Sequence, residues 1–174
     1  MKEEYADELL PPDNFSMVAP NIYRGGMPKK KNHRFLEKLK LKSILTLILE
    51  EYPIQNQAFL KKNNIQLLQF GMAGNKEPFV DIPENVMVKA VSALLDKRNH
   101  PVFIHCNKGK HRTGCLVGCL RKIQYWSYTS IFDEYRRFSA PKSRSTDQQF
   151  IELFDPKPAI SAVSKSNLPS FLLL

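Results

Sequence analysis

Short apolar runs alternate with longer amphipathic stretches along most of this 174-residue chain, and the period of each stretch identifies the element it forms. Phe15-Ser-Met-Val-Ala and Asn21-Ile-Tyr-Arg predict two short strands, divided by Pro20 and closed by Gly25-Gly26. Asn32 is placed to cap a short helix that turns Phe35, Leu36 and Leu39 inward. The continuous apolar run from Ser43 to Leu49 has the length of a buried parallel strand rather than of a helix. Pro53 stands at the first turn of a helix reaching to near Lys62, and Ile65 to Phe70 is the next strand. A long glycine-containing loop covers 71–83, and Pro83 then opens a helix striped by Met87, Val91, Leu94 and Leu95. A strand over 101–105 leads through a loop into an apolar helix ending near Gln124. Ser127 opens another helix, with Ile131, Phe132, Tyr135 and Phe138 inward, which stops before Pro141. Ser145 with Gln148 matches a capping box and predicts a last helix to Phe154, stopped by Pro156.

Strands alternating with helices place the chain in the α/β class, with a central, largely parallel sheet, helices on both faces and right-handed crossovers. The length suits one domain, expected over 14–156. Residues 1–13 are acidic and polar up to Pro11-Pro12 and are expected as a disordered lead. Residues 157–174 carry no period and are expected as a tail whose closing Phe171-Leu-Leu-Leu frays.

Composition narrows the function classes. Three cysteines, an odd number, argue against a disulfide framework and for a reducing compartment. Cys115 and Cys119 lie four apart on one helix face and are expected to pack; no Cys/His set has zinc spacing, so neither a metal nor a cofactor is expected. The first residues have no signal character and no stretch reaches membrane-spanning length, so a cytoplasmic location, with the nucleus also open, is the expectation. The formal net charge is +9. The aromatics are not interleaved with Lys and Arg as a stacking platform requires, which excludes nucleic acid. Basic residues gather near the 105–114 loop, in Arg136-Arg137 and from Lys142 to Arg144, which fits a small polyanionic substrate. Lys29-Lys30-Lys31 reads as a solvated turn, the alternative being contact with substrate or an anionic surface.

The chemistry is concentrated in His105-Cys-Asn-Lys-Gly-Lys-His-Arg-Thr-Gly114. A strand, a tight loop and a helix start around a Cys and, five intervening residues later, an Arg make a phosphate cradle. Backbone N–H groups turn inward at the helix N-terminus, where orphan donors and the dipole favour an anion. The same field favours the nucleophilic thiolate of a cysteine placed there. Cys106 is then the nucleophile, and Arg112 takes two phosphate oxygens with its planar fork. Thr113 is placed to hydrogen-bond the sulfur, and His105, on the strand, to orient the loop. Asn107, Lys108, Gly109, Lys110 and His111 complete the cradle; Lys76, Arg136, Lys142 and Arg144 are candidates for further phosphates.

This loop resembles the signature of the cysteine-based protein tyrosine phosphatase superfamily. Together with Ile22-Tyr-Arg-Gly-Gly-Met-Pro, Gly71-Met-Ala-Gly-Asn-Lys-Glu-Pro-Phe and Phe132-Asp-Glu-Tyr-Arg-Arg-Phe, it is similar to the plant and fungal atypical dual-specificity phosphatases. The resemblance implies a tyrosine-phosphatase-like fold and removal of the β-phosphate of inositol pyrophosphates, the 5-diphosphate preferred, with phosphotyrosine and phosphoinositides as further substrates. It implies that residues 106–112 carry over position by position. The Trp-Pro-Asp motif that usually supplies the general acid is absent; Glu77, then Asp81, are the candidates, Asp81 being also a possible cap. Two other readings stand beside this one: a phosphatase acting on phosphoproteins or phosphoinositides, and a catalytically silent phosphate-binding module. Intact Cys106 and Arg112 count against the last.

Overall fold

The computed structural model describes residues 8–74 and 82–172. Twelve helices and strands of more than three residues follow one another among them. They are β1 (Ser16–Ala19), β2 (Ile22–Gly25), α1 (His33–Lys38), β3 (Ser43–Thr46), α2 (Ile54–Asn63), β4 (Gln66–Gln69), α3 (Glu84–Leu95), β5 (Val102–His105), α4 (Arg112–Ile123), α5 (Tyr128–Ser139), α6 (Ser145–Leu153) and α7 (Lys157–Ser161). The strands form one sheet in the order β1-β2-β5-β3-β4, parallel except for the antiparallel β1 at its edge. β5 is central. Its register sets His105 between Gly25 on one side and Thr46 on the other, so the chain leaving β5 emerges among the carboxyl ends of three parallel strands, where α/β folds place ligands.

Alternation along the strands fills both faces. Ile44 and Phe103 pack with Leu36 of α1 and with Phe59 and Leu60 of α2. Leu45, Val102 and Ile104 point the other way, into the larger core with α3, α4 and α7. β3 and β5 are buried at every position, which is why they read as unbroken apolar runs. The strand expected over 43–49 pairs only to Thr46; Leu47 still donates its N–H to His105 O at 3.0 Å, and Leu49 has left the sheet, 59% exposed. Asn64, at φ 53, ends α2 in the left-handed conformation that asparagine tolerates, and Ser127 caps α5 by accepting Ser130 N–H at 3.2 Å.

Three local expectations are corrected. Ser145 lies inside α6, whose preceding residue Arg144 makes no side-chain cap bond; Gln148 is drawn instead to Arg136, accepting from its Nη1 at 3.0 Å. Asn32 is 2% exposed and does not cap α1. It ties down the preceding chain, accepting from Lys29 N–H at 2.8 Å and donating to Leu10 O and Pro11 O, so the end of the expected lead is held. The third concerns 157–172, which are not a tail. α7 packs on α3, Ser92 Oγ donates to Ala159 O at 3.3 Å, and Ala159 and Leu172 are buried in the larger core. This segment closes the core with a short helix and two single turns, Lys165–Asn167 and Ser170–Leu172, so no period could run through it. Among the described residues, no helix is long and apolar enough to cross a membrane and no group of His, Cys, Asp and Glu could hold a metal ion.

α4 is the central helix of the larger face, and α5 and α6 approach it closely because it carries glycine where they cross. A Cβ on Gly118 would lie 2.5 Å from Ile151 Cδ1, 2.8 Å from its Cγ1 and 3.1 Å from its Cγ2. Gly118→Ala should therefore destabilise the protein by about 1–3 kcal/mol through overpacking, against a helix-propensity gain of about 1 kcal/mol. Chemical denaturation checks this: adding Ile151→Ala to Gly118→Ala should cost less than Ile151→Ala costs in the wild type.

Candidate active site

β5 ends at the centre of the sheet and delivers Cys106, 3% exposed, to the start of the loop. Residues 107–111 turn the chain back to Arg112, the first residue of α4. Among the described residues no hydrogen bond takes up the backbone N–H groups from Lys108 to Arg112, which leaves them to an anion at the positive end of the helix. Gly109 makes the turn possible. Its φ is +68, and a Cβ there would stand 2.4 Å from the C and O of Gly25.

The loop is braced from outside. Gly109 O accepts from Asn14 Nδ2 at 3.0 Å and from Arg24 Nη2 at 3.1 Å, and Asn107 O accepts from Met27 N–H at 2.9 Å. Lys110 Nζ donates to Ala140 O at 2.7 Å and His111 Nε2 to Lys142 O at 2.6 Å, so the turn after α5 is fastened to the loop. Arg112 Nη1 donates to Met72 O at 3.1 Å, which sets the guanidinium across the mouth.

A cavity of about 320 Å³ opens over this loop, lined by Gly74, Cys106, Asn107, Lys108, His111, Arg112, Lys142 and Arg144. Four of these are permanent cations, and no described carboxylate joins them. A second, wider basin of about 670 Å³ lies on the other side of Asn107 and Lys108, with Lys29, Lys110 and Arg137 around it and Asp13 as the single carboxylate among its described residues. Asp13 is already paired with Lys29 at 3.1 Å. A more apolar cavity of about 650 Å³, lined by Ile160, Val163, Leu168 and Leu172, shares no residue with either.

The structure thus gathers Cys106, Asn107, Lys108, His111, Arg112, Lys142 and Arg144 around one cavity. Lys110 faces the neighbouring basin, and Gly109 forms the back of the loop. Arg136 is not at either cavity. It bonds Asp133 at 2.6 Å and Gln148 at 3.0 Å on the outer face of α5, while Arg137, turned about 100° further round the helix, lines the basin. Thr113 lies inside α4, fully buried, and its Oγ1 has no hydrogen bond among the described residues, to the sulfur or otherwise. Lys76, Glu77 and Asp81 fall outside the described residues. Asn14 carried no signal in the sequence; Arg24 and Gly74 stand in two of the stretches that carry the family resemblance, Arg137 belongs to the basic pair of which Arg136 was the candidate, and Lys29, read as part of a solvated turn, lines the basin.

His105 is fully buried. Nδ1 can only donate to Cys106 O, 3.0 Å away, so Nε2 accepts from Tyr52 OH at 2.9 Å. Burial is the main cause that pulls its pKa from 6.5 down to about 4, so the ring is neutral and works as a brace, not a proton donor. Burial likewise pushes the thiols of Cys115 and Cys119 up, which keeps both protonated, as packing groups.

A model of the tyrosine phosphatase family matches residues 9–170. The chain is 57% identical over 161 residues to the inositol diphosphatase SIW14 of Saccharomyces cerevisiae, covering 92% of this chain and 57% of that protein. It is 56% identical over 147 residues to the inositol diphosphatase DSP1 of Oryza sativa subsp. japonica, covering 84% of this chain and 66% of that protein. The chain therefore spans less than two thirds of either relative. In three dimensions it is similar to the Siw14 catalytic core, with a TM-score of 0.89 at 54% identity over 97% of this chain and 98% of the other.

Two measurements follow from this geometry. Cys106→Ser should lose turnover by several orders of magnitude, because a hydroxyl stays protonated at neutral pH, while still binding orthovanadate or phosphate; retained turnover would exclude the cysteine as nucleophile. His105 gives a pH effect of definite sign. Its folded pKa lies below the unfolded value, so the unfolded chain binds the extra proton, and stability is full above pH 6.5 and falls as the pH drops from there towards 4, by up to about 3 kcal/mol from this group. Denaturation midpoints between pH 7 and 4 should show a shallower fall for His105→Gln than for the wild type.

Proposed function

Since the chain belongs to the tyrosine phosphatase family, we propose that it removes the β-phosphate of diphosphoinositol polyphosphates, the 5-diphosphate form by preference, through a phosphocysteine. The thiolate of Cys106 attacks the β-phosphorus; an S–P bond forms as the P–O bond to the α-phosphate breaks, and the remaining inositol phosphate leaves with that electron pair. Water then attacks the same phosphorus, the S–P bond breaks, and inorganic phosphate leaves while the sulfur recovers its thiolate. The loop N–H groups and the Arg112 fork hold the three equatorial oxygens through both steps, where charge stabilisation supplies most of the rate.

One observation carries this reading: the cavity over Cys106 is walled by Lys108, Arg112, Lys142 and Arg144 and by no described carboxylate. A single phosphoryl group is satisfied by the loop and Arg112 alone. Lys108 and Lys142, beyond Arg112, offer charge to a substrate that bears further phosphates, and the basin with Lys29, Lys110 and Arg137 continues the same field past Lys108. A phosphotyrosine would instead ask for side chains that clasp a phenyl ring, and His111 is the sole ring among the described residues of the cavity. The yeast and rice relatives, both named inositol diphosphatases, support the same substrate class.

The test is phosphate release from a 5-diphosphoinositol pentakisphosphate, a phosphotyrosyl peptide and a small aryl phosphate, measured side by side. The diphosphate should give the highest kcat/KM by a wide margin; a peptide cleaved faster would overturn the proposal. Lys142→Ala and Arg137→Ala should each raise KM for the diphosphate about tenfold at low salt, spare the aryl phosphate, and lose most of that difference in 0.5 M salt, because exposed charges a Debye length apart are then screened.

A further inference from the structure

We propose that Asn14 and Arg24 are positioning residues of the catalytic loop: together they lock the Gly109–Lys110 peptide so that its N–H is held toward the bound phosphoryl group. This rests on the loop being an anion cradle, and not on which phosphate compound occupies it. Gly109 O accepts both Asn14 Nδ2 at 3.0 Å and Arg24 Nη2 at 3.1 Å, so both of its lone pairs are engaged. In a planar trans peptide the N–H points opposite to the C=O. Fixing this carbonyl outward therefore fixes the Lys110 N–H inward, and that N–H has no partner among the described residues. The peptide cannot relax by rotation, because Gly109 sits against the Gly25 backbone.

Arg24 is an expensive way to hold a carbonyl. It is 1% exposed, its guanidinium lies over the Phe138 ring at 3.9 Å, and its Nε and Nη1 have no hydrogen bond among the described residues. A buried cation with idle donors costs stability that an apolar side chain would not. Burial pulls its pKa down to about 10, which leaves it charged at neutral pH. Its positive charge lies behind the loop, on the side away from solvent, and so adds to the field that an incoming phosphate meets. Asn14, on the chain entering β1 at the same open end of the β1–β2 hairpin, reaches the same carbonyl while its Nδ2 also bonds Phe138 O at 3.0 Å. The Tyr-Arg-Gly-Gly stretch thus gains a role in which Arg24 holds the carbonyl and Gly26, where a Cβ would lie 3.1 Å from Asn107 O, leaves room for the loop.

The experiment compares wild type, Asn14→Ala, Arg24→Met and the double variant by kcat and KM on an aryl phosphate, by the inhibition constant of orthovanadate, and by melting temperature. Each single variant should lower kcat on the order of tenfold with little change in KM, and weaken vanadate by a similar factor, since one misdirected loop donor is lost from the charged transition state. The double variant should lose little beyond the worse single one, because both act through one peptide. Melting temperature alone falling, with kcat and vanadate affinity of the folded protein unchanged, would overturn the proposal, as would fully multiplicative losses in the double variant. Should Arg24→Met not fold, Asn14→Ala, at the half-buried partner, decides the matter by the same readouts. A wild type that turns over the aryl phosphate but not the diphosphoinositol would defeat the proposed function and leave this inference standing.

Discussion

The approach of Gly109 to the Gly25 backbone decides where the loop after β5 can lie. With a Cβ excluded at 2.4 Å and φ at +68, the loop is pressed onto the end of β2, and every other contact of the cradle is made from that position. β2 and β5 are parallel neighbours whose last paired residues are Gly25 and His105, so the strand that supports the loop and the strand that delivers it end together. A larger residue at 109 would both strain the turn and push the loop off the strand end. Cys106, Arg112 and the free N–H groups between them inherit their placement from this contact.

The opposite wall is held by a chain of buried polar contacts running through the helices. Arg121 meets Glu134 through two hydrogen bonds, both 2.9 Å, with Trp126 over its guanidinium at 4.0 Å. That joins α4 to α5. Tyr135, next along α5, donates to buried Asp147 at 2.5 Å and accepts Arg144 N–H at 3.2 Å, which joins α5 to α6 and sets the backbone at Arg144. Removing either Arg121 or Glu134 would strand the charge of the other in the core at a cost of about 3–5 kcal/mol. The 140–144 turn, carrying Lys142 and Arg144 to the cavity and accepting from Lys110 and His111, is therefore positioned by α4 at one end and by the catalytic loop at the other. The cations of the cavity and Cys106 share one scaffold.

What could be read from the sequence was what lies close together in it. The cradle occupies ten consecutive residues, and β3, β5 and the stripe of α3 announce themselves by period. Contacts across the chain were hidden: Asn14 and Arg24 reach Gly109 over 95 and 85 residues, and nothing local to either distinguishes it from a turn asparagine or a strand arginine. Arg136 and Arg137 are adjacent and chemically alike, so only the phase of α5 against its neighbours separates the one paired with Asp133 from the one at the basin. The closing segment was misread for the reverse reason. It buries Ala159 and Leu172 through separate short turns, and a segment that contacts the core at scattered points shows no period.

The absence of a Trp-Pro-Asp acid bears on which bonds such a site can break. An alcohol or phenol leaving phosphorus becomes a strong base and needs a proton in the transition state, and a positioned acid contributes about a hundred- to ten-thousand-fold to such steps. The group left behind by a β-phosphate is itself a phosphate, a far weaker base. What it does bring is negative charge, on the leaving oxygen and on its neighbours, and that charge is met by cations. A cavity walled by Lys108, Arg112, Lys142 and Arg144 therefore supplies what an anhydride requires, whereas an ester asks for a positioned acid. On the proposed function, selectivity for the diphosphate would rest on the leaving group as much as on the fit of the ring, and a weak or distant acid would not cost the reaction its rate.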